Sequence, residues 1–444
     1  MIPQEIARSS QLSPHEIARC APDSSGTPKL RDPYRPLLHF APRRHWANDP
    51  NGLVFHEGRW HLFFQHNPNG DGWGDMSWGH AVSDDLVSWD ERPVAIRQSV
   101  GADGQPVEYV FSGSAVHDGD DLVAVYTSVR FPTSPDAPGL QTQHLARSTD
   151  GGETWVKDPA NPVLDRGSAD FRDPKVFRDG DRWVMAAVEA IEQKVVLYAS
   201  DDLRTWALLS EFADPSLQTG PWECPDLFPL AVEGSDEVRW VLLVSVLDGA
   251  PGGGSGMRWW VGDFDGTAFT PEAGGWLDHG RDCYAAVTYN DAPDGRRVMI
   301  GWLGNWAYAR QTPTDGWRGA MTLPRDLTLV DTDAGPRLRQ TVARELAAYE
   351  HLDVVLRPGE EHPLHGGALR LSYDGAAGEL VVVREPAAFS AGFGSVSRVP
   401  VPPVDGAVAL EVWPDRCSVE VFADGGRVVL SFLVFPQPDS AQQE

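Results

Sequence analysis

Three short acidic motifs contain the residues of this chain that are best suited to catalysis. The run WANDPNG occupies residues 46–52, FRDP occupies residues 171–174 and WECPD occupies residues 222–226. Each holds a candidate catalytic carboxylate, that of Asp49, Asp173 or Glu223, with a proline at most two residues later. Carboxylates that converge repel one another and resist desolvation, so such a set indicates a functional site more than a packing role.

Two carboxylates are enough to hydrolyse a glycosidic bond. One attacks the anomeric carbon, and the other protonates the leaving oxygen and then activates water. Glu223 suits the acid, whose pKa has to be raised. Asp49 suits the nucleophile, because Asn48 and Asn51 are expected to donate hydrogen bonds that keep it ionised. Asp173 follows an arginine, which is expected to keep it ionised so that it can stabilise positive charge on the sugar ring.

The elements around these motifs form a repeat of strand, tight turn and strand. Five turns with glycine after or near an acidic residue recur at intervals of roughly 60 residues, at residues 56–58, 117–119, 178–180, 233–235 and 293–295. Glycine supplies the positive φ that a hairpin turn needs. The repeat predicts a five-bladed β-propeller, whose innermost strands line a central funnel. The residues at the starts of these strands are then expected to converge: Asp49, Ser112, Asp173, Glu223 and Asp282.

A second repeated element is predicted to be structural. The sequences SDDLVSW, STDGGETW and SDDLRTW occupy residues 83–89, 148–155 and 200–206. An Asp or Gly pair favours a turn, and the tryptophan is expected to pack between blades, in the outer half of each blade.

The sequence pattern of the chain changes near residue 335. Residues 1–35 are predicted to be an N-terminal arm, residues 36–335 the propeller and residues 336–349 a linker, within which residues 338–349 have helical tendency. Residues 350–444 alternate polar and apolar side chains between Gly, Pro and Asp, which predicts a small antiparallel β-sandwich. The whole chain is therefore predicted to be all-β.

The composition of the chain limits the classes of molecule that it is expected to bind. A formal net charge of −27 disfavours nucleic acid and anionic membranes. No run approaches the roughly 18 apolar residues of a membrane span. No apolar signal segment is visible near the N-terminus, which favours a cytoplasmic protein, with secretion as the alternative if the chain has been trimmed.

Neither a metal nor a cofactor is expected. The histidines show no HxH or HExxH spacing, the four cysteines show no CxxC, and the run GGGSG at residues 252–256 lacks the lysine of a phosphate loop. The cysteines are interpreted as free thiols.

Taken together, the motifs resemble glycoside hydrolase family 32, the β-fructosidases that include invertases, inulinases and levanases. The resemblance rests on WANDPNG, FSGS at 111–114, FRDP, WECP and DCYA at 282–285, with WGHA at 78–81 and SVEVF at 418–422. These motifs stand in the family's order over about residues 38–435.

The resemblance implies a propeller followed by a sandwich and a retaining mechanism on β-D-fructofuranosyl ends. It assigns Asp49 as nucleophile, Glu223 as acid/base and Asp173 as transition-state stabiliser. The substrate is then a fructose-containing oligo- or polysaccharide. The residues expected to bind it are Asn48, Gln65, Trp73, Phe111, Ser112, Arg172, Asp282 and Trp302, the last of them, like Trp306, with a core role as an equal alternative.

Two positions depart from the family pattern. Ala47 and Ser77 stand where the family usually has larger residues, which leaves the leaving-group preference open among sucrose, inulin and levan. A fructosyltransferase would use the same carboxylates with a sugar acceptor. A binding-only propeller is the third alternative, and the intact Asp49, Asp173 and Glu223 disfavour it.

Overall fold

A computed structural model describes residues 32–131, 139–217, 219–333, 335–385 and 396–436. Nearly all of its regular structure is β-strand, in seven sheets. Of the predicted N-terminal arm, residues 1–31 lie outside the described residues. In the part that is described, no helix is long and apolar enough to cross a membrane.

Five of the sheets have the up-and-down strand order of propeller blades. Blade I contains β1 (His45–His56), β2 (Arg59–Asn67), β3 (Ser77–Ser83) and β4 (Trp89–Ile96). Blade II contains β5 (Ser99–Val100), β6 (Pro106–Asp118), β7 (Asp121–Arg130), β8 (Leu140–Ser148) and β9 (Val156–Lys157). Blade III contains β10 (Phe171–Asp179), β11 (Arg182–Glu189), β12 (Lys194–Ser200) and β13 (Ala207–Phe212). Blade IV contains β14 (Trp222–Ala231), β15 (Val238–Val246), β16 (Gly256–Phe264) and β17 (Phe269–Trp276).

Blade V closes the ring. It contains β18 (Tyr284–Thr288), β19 (Val298–Leu303), β21 (Ala320–Met321), β22 (Arg325–Thr332) and β23 (Gly335–Val342). The short strand β20 (Trp317–Arg318) leaves this blade and pairs in parallel with β1 of blade I. The strands β1, β6, β10, β14 and β18 pack against one another in cyclic order, which confirms the predicted five-bladed propeller.

The predicted glycine turns join the first and second strands of the blades, or β6 and β7 in blade II. All five turn glycines adopt positive φ, between 60° and 81°, which side chains with a Cβ rarely adopt. The second repeat also lies as predicted, between the third and fourth strands of blades I and III and between β8 and β9 of blade II. In it the indole of Trp155 packs on Phe63 of blade I, with ring centroids 5.4 Å apart.

The C-terminal sheets form the predicted sandwich around an apolar core of their own. One sheet contains β24 (Leu352–Leu356), β29 (Val408–Asp415), β30 (Ser418–Ala423) and β31 (Val428–Leu433). The other contains β25 (Glu361–Leu364), β26 (Leu369–Asp374), β27 (Glu379–Arg384) and β28 (Val396–Pro400). Short 3₁₀ turns lie at Pro293–Gly295, Ala309–Gln311, Arg344–Leu346, His365–Gly367 and Asp424–Gly426.

The helical tendency expected over residues 338–349 is wrong for residues 338–342. Gly335–Val342 is strand β23, which pairs with β22 along its whole length. Leu338 and Gln340 are buried while their neighbours are more exposed, the period of two that a strand produces. Good helix formers in this segment are overridden because β22 would otherwise leave its hydrogen-bonding edge unpaired.

Candidate active site

A break in strand register lies at or beside the recognised motif of each innermost strand. The pairing shifts between Ala47/Pro50 and Asn51/Val54 in β1, Val110/Gly113 in β6, Arg172/Lys175 in β10, Glu223/Asp226 in β14 and Tyr284/Val287 in β18. A β-bulge bends its strand and re-aims side chains. The bulges therefore explain how these motifs turn towards one site.

Side chains of neighbouring blades satisfy the backbone at these bulges. In four cases an N–H at the bulge of one blade donates to a side-chain oxygen of the blade before it. The pairs are Gly113 with Asn51 (3.1 Å), Asp173 with Thr127 (2.9 Å), Cys224 with Asp173 (3.0 Å) and Ala285 with Ser245 (3.0 Å). Each of blades I to IV thus fixes the conformation of the next blade at the level of the site.

Asp49 is held at both carboxylate oxygens. Nδ2 of Asn48 donates to Oδ1 at 2.9 Å, and the hydroxyl of Ser112 donates to Oδ2 at 2.6 Å. Asn48 is itself fixed by the indole N–H of Trp46 at 2.6 Å. The predicted contact from Asn51 to this carboxylate is absent, because the Asn51 amide donates to the backbone carbonyl of Asp49 at 2.8 Å.

Glu223 receives donors from two blades. Nε and Nη2 of Arg172 donate to its Oε1 at 3.1 and 2.9 Å, and the hydroxyl of Tyr284 donates to its Oε2 at 2.5 Å. Tyr284 is fully buried and supplies the contribution of blade V. Tyr284 was not predicted as a site residue, although it stands within the DCYA motif, because the prediction took Asp282, the acidic residue of that motif.

Cys224 lies between the two aspartates. Its Sγ is 3.6 Å from Oδ2 of Asp49 and 3.7 Å from Oδ2 of Asp173. Burial and the surrounding carboxylates raise the pKa of Cys224 well above its usual value, so it is a neutral thiol. Asp173 and Cys224 adopt φ of 61° and 46°, a region that is strained for non-glycine residues.

The pKa values of Asp49 and Asp173 are raised, contrary to the expectation from the sequence. Burial and the charge of Glu223 raise the pKa of Asp49, and the hydrogen bonds from Ser112 and Asn48 only partly oppose this. Burial and Glu223 raise the pKa of Asp173 to about 7, although Arg172 acts in the other direction. Burial and the charge of Glu223 therefore outweigh the neighbours that were expected to keep both aspartates ionised.

Most of the predicted substrate-binding residues lie beside these carboxylates or on the adjoining strands. Gln65 is buried on β2 and donates to the carbonyl of Val110 on β6 at 3.1 Å. Trp73 and Phe111 are partly buried and pack edge to face, with ring centroids 6.0 Å apart. The two rings form an apolar surface beside Ser112, whose hydroxyl makes polar contacts.

Asp282 lies elsewhere, contrary to its predicted role. It is fully buried, and it accepts hydrogen bonds from the hydroxyl of Tyr308 (2.6 Å), Nη1 of Arg384 (3.1 Å) and the backbone N–H of Leu433 (2.8 Å). It therefore joins the propeller to the sandwich. Strand β18 begins only at Tyr284, so the bulge directs that residue, not Asp282, towards Glu223.

Trp302 is a core residue. Its side chain is 1% exposed and packs against Trp306 at 4.9 Å and Trp46 at 6.1 Å. Trp306 is only partly buried and stacks on Trp46 at 6.0 Å with an interplanar angle of 26°. Of the two tryptophans, Trp306 is the one that can present a ring face to a ligand.

No group of three or more His, Cys, Asp or Glu side chains that could hold a metal occurs within the described ranges. Cys224, Cys283 and Cys417 are buried free thiols.

Comparison with known proteins agrees with this geometry. Residues 39–342 match the model of the glycosyl hydrolases family 32 N-terminal domain, and residues 351–444 match the family 32 C-terminal model. A levanase of Bacillus subtilis (strain 168) is 37% identical over 480 residues, covering 94% of this chain and 69% of the relative. An extracellular exo-inulinase of Aspergillus awamori is 36% identical over 489 residues, covering 92% of this chain and 90% of the relative.

A crystal structure of exo-inulinase from Aspergillus awamori superposes with a TM-score of 0.84 at 34% identity, covering 92% of this chain and 94% of that one. The fold is thus shared over nearly the whole chain. By both domain models and by these relatives, the chain belongs to glycosyl hydrolases family 32 and is a glycoside hydrolase.

Proposed function

We propose that this enzyme releases β-D-fructofuranosyl units from the ends of fructans and from sucrose with retention of configuration. The observation that carries the proposal is the arrangement of Asp49, Asp173 and Glu223 on three innermost strands around the thiol of Cys224. Relatives named levanase and exo-inulinase support a fructan substrate and action at chain ends.

In the first step Asp49 attacks C2 of the terminal fructosyl unit. The bond from C2 to the leaving oxygen breaks while the carboxylic acid of Glu223 gives that oxygen its proton. Asn48 and Ser112 hold both oxygens of Asp49, so the nucleophile is oriented before the substrate arrives. The product of this step is an ester between the sugar and Asp49.

In the second step water replaces Asp49. Glu223, now a carboxylate, takes a proton from the water, whose oxygen attacks C2 and breaks the ester. Arg172 and Tyr284 donate to the two carboxylate oxygens of Glu223 and hold the side chain in position for both proton transfers. The same residue thus serves as acid in the first step and as base in the second.

Asp173 stabilises the ring between these steps. Its carboxylate accepts from the backbone of Cys224 and can accept sugar hydroxyls as positive charge develops at C2. The named relatives are hydrolases, so transfer to a sugar acceptor, which would use the same carboxylates, is not favoured.

The test is a substrate panel with matched variants. The natural chain should release fructose from sucrose, inulin and levan, and NMR of the first product should show the β anomer. Glu223→Ala should lower kcat on these substrates by about 10²- to 10⁴-fold, and Asp49→Ala by at least as much. The control Asp201→Ala, at an exposed turn of blade III, should leave kcat unchanged. Near-normal activity of Asp49→Ala or Glu223→Ala, or an inverted first product, contradicts the proposal.

A further inference from the structure

A string of aromatic side chains leads away from the catalytic residues along blade II. Trp73 packs edge to face against Phe111 at 6.0 Å and against Tyr109 at 6.2 Å, and Tyr109 packs against Phe131 at 4.6 Å. Trp73 and Phe111 adjoin the site, but Tyr109 and Phe131 have no part in the two chemical steps. We call these four residues the aromatic wall.

The wall extends beyond the level of the carboxylates. Strand β6 reaches Ser112 only at its seventh residue, whereas β14 reaches Glu223 at its second. Tyr109 stands three residues before Ser112, or about 10 Å along the strand at the usual rise per residue. Phe131 directly follows β7, and the side chain of Phe131 is 37% exposed. The last residue of β7 pairs opposite Glu108 on β6. The wall therefore runs from the site to the solvent.

The reverse face of β6 is anchored. Side chains alternate along a strand, so Tyr109 and Phe111 share one face and Glu108 lies on the other. Glu108 is buried, and its carboxylate accepts hydrogen bonds from Ser128 (2.7 Å) and from Lys157 (2.8 Å). Because this support fixes the strand, the aromatic rings are ordered before any ligand binds.

The chemistry of the wall fits neutral sugar units. Aromatic rings offer flat apolar faces to the C–H faces of sugars, and Tyr adds a polar hydroxyl at the ring edge. We propose that the aromatic wall binds the fructosyl units that follow the terminal one, so that Tyr109 and Phe131 favour fructan chains over sucrose. This inference rests on the proposed function, because it requires a terminal fructosyl unit at Asp49.

The test compares kcat/KM on sucrose, inulin and levan for Phe131→Ala. This exposed side chain can be removed with little effect on folding, and loss of one aromatic contact should lower kcat/KM on a polymer about threefold to tenfold, mainly through KM. Sucrose, which has no further fructosyl unit to reach the wall, should be cleaved at an unchanged rate. Tyr349→Ala is the matched control, since Tyr349 is also 37% exposed but lies next to the sandwich domain, and it should change none of the three values.

A second pair of variants separates ring contact from local structure. Phe131→Trp keeps an aromatic face and should retain the polymer rate, whereas Tyr109→Leu should lose it while sucrose cleavage persists. A loss confined to inulin or to levan supports the wall and assigns its linkage preference. Equal losses on sucrose and on the polymers, unchanged polymer rates in Phe131→Ala, or a natural chain that cleaves sucrose alone would overturn the inference. A natural chain that cleaves none of the three refutes the proposed function itself.

Discussion

Asp49 and Glu223 are both carboxylates, but their donors differ in kind. Asp49 receives two neutral donors, an amide and a hydroxyl, whereas Glu223 receives a guanidinium and a phenol. Hydrogen bonds to the charged form lower a pKa, and burial raises it. The division of labour between nucleophile and acid thus depends on individual side chains around each carboxylate.

Removing the Ser112 hydroxyl tests this dependence for Asp49. Its hydrogen bond lowers the pKa of Asp49, so Ser112→Ala should raise that pKa further. Because Asp49 must be ionised to attack, the acidic limb of the kcat/KM profile should move to higher pH. Ser112→Thr keeps the hydroxyl and should leave the limb in place; an unmoved limb in Ser112→Ala would contradict the assignment of Asp49 as the ionised nucleophile.

Asp173→Asn tests the stabilising role. The amide nearly keeps the shape of the side chain but removes the charge that opposes the positive ring, so kcat should fall by roughly 10²-fold or more while KM changes little. The measurement is steady-state kinetics on sucrose. A variant whose kcat is normal and whose KM alone rises would show that Asp173 only binds the ground state.

At the scale of the strands, the bulges in the innermost strands turn the motifs of a regular repeat towards one site. Thr127 on β7 is fully buried, accepts the N–H of Asp173 and donates to Gln143 at 2.9 Å. A side chain of blade II therefore fixes the backbone of the residue in blade III that carries the carboxylate. In this way a side chain of one blade positions a residue of the next blade.

Thr127→Val should damage both stability and catalysis. Valine has the same shape but leaves a buried N–H and a buried amide oxygen without their partner, which should lower the free energy of unfolding by about 1–3 kcal/mol. Asp173 should then be less well oriented, so kcat should fall as well. Thr127→Ser restores the hydroxyl and should recover most of kcat, whereas a Ser variant as slow as the Val variant would indicate a packing effect alone.

How far the sequence predicts these strands depends on the kind of signal. The turns at residues 56–58 and 178–180 are determined by the local sequence. The spacing of their glycines therefore predicts both the turns and the blades. Asp49 and Glu223 stand in motifs that combine rare residue types. The choice between Asp282 and Tyr284, in contrast, depends on where β18 begins and on its bulge, which arise from pairing with β19 and are not encoded in the motif itself.

At the scale of the whole chain, buried charges join the propeller to the sandwich. His39, which precedes β1, lies 2.8 Å from Asp415 through Nδ1 and 3.0 Å from Glu420 through Nε2. Glu420 also accepts from Arg325 of blade V at 2.6 Å. Since both ring nitrogens of His39 face carboxylates, both must carry a proton, and the ring is an imidazolium.

This network makes stability depend on pH. Burial alone would lower the pKa of His39, but the hydrogen bonds and charges of Asp415 and Glu420 raise it to about 9. The folded chain therefore holds a proton that the unfolded chain releases near pH 6.5. The stabilisation is complete below about pH 6.5 and is lost as the pH rises through about 9, a change of roughly 3 kcal/mol.

His39→Gln isolates this contribution. Glutamine cannot supply the positive charge, so the variant should melt well below the natural chain at pH 6, and the difference in Tm should shrink steadily towards pH 9.5. His362→Gln, on strand β25 of the sandwich, is the control and should keep the melting temperature of the natural chain throughout. A difference in Tm for His39→Gln that stays constant from pH 6 to 9.5 would mean that His39 acts by packing and that its charge does not hold the two domains together.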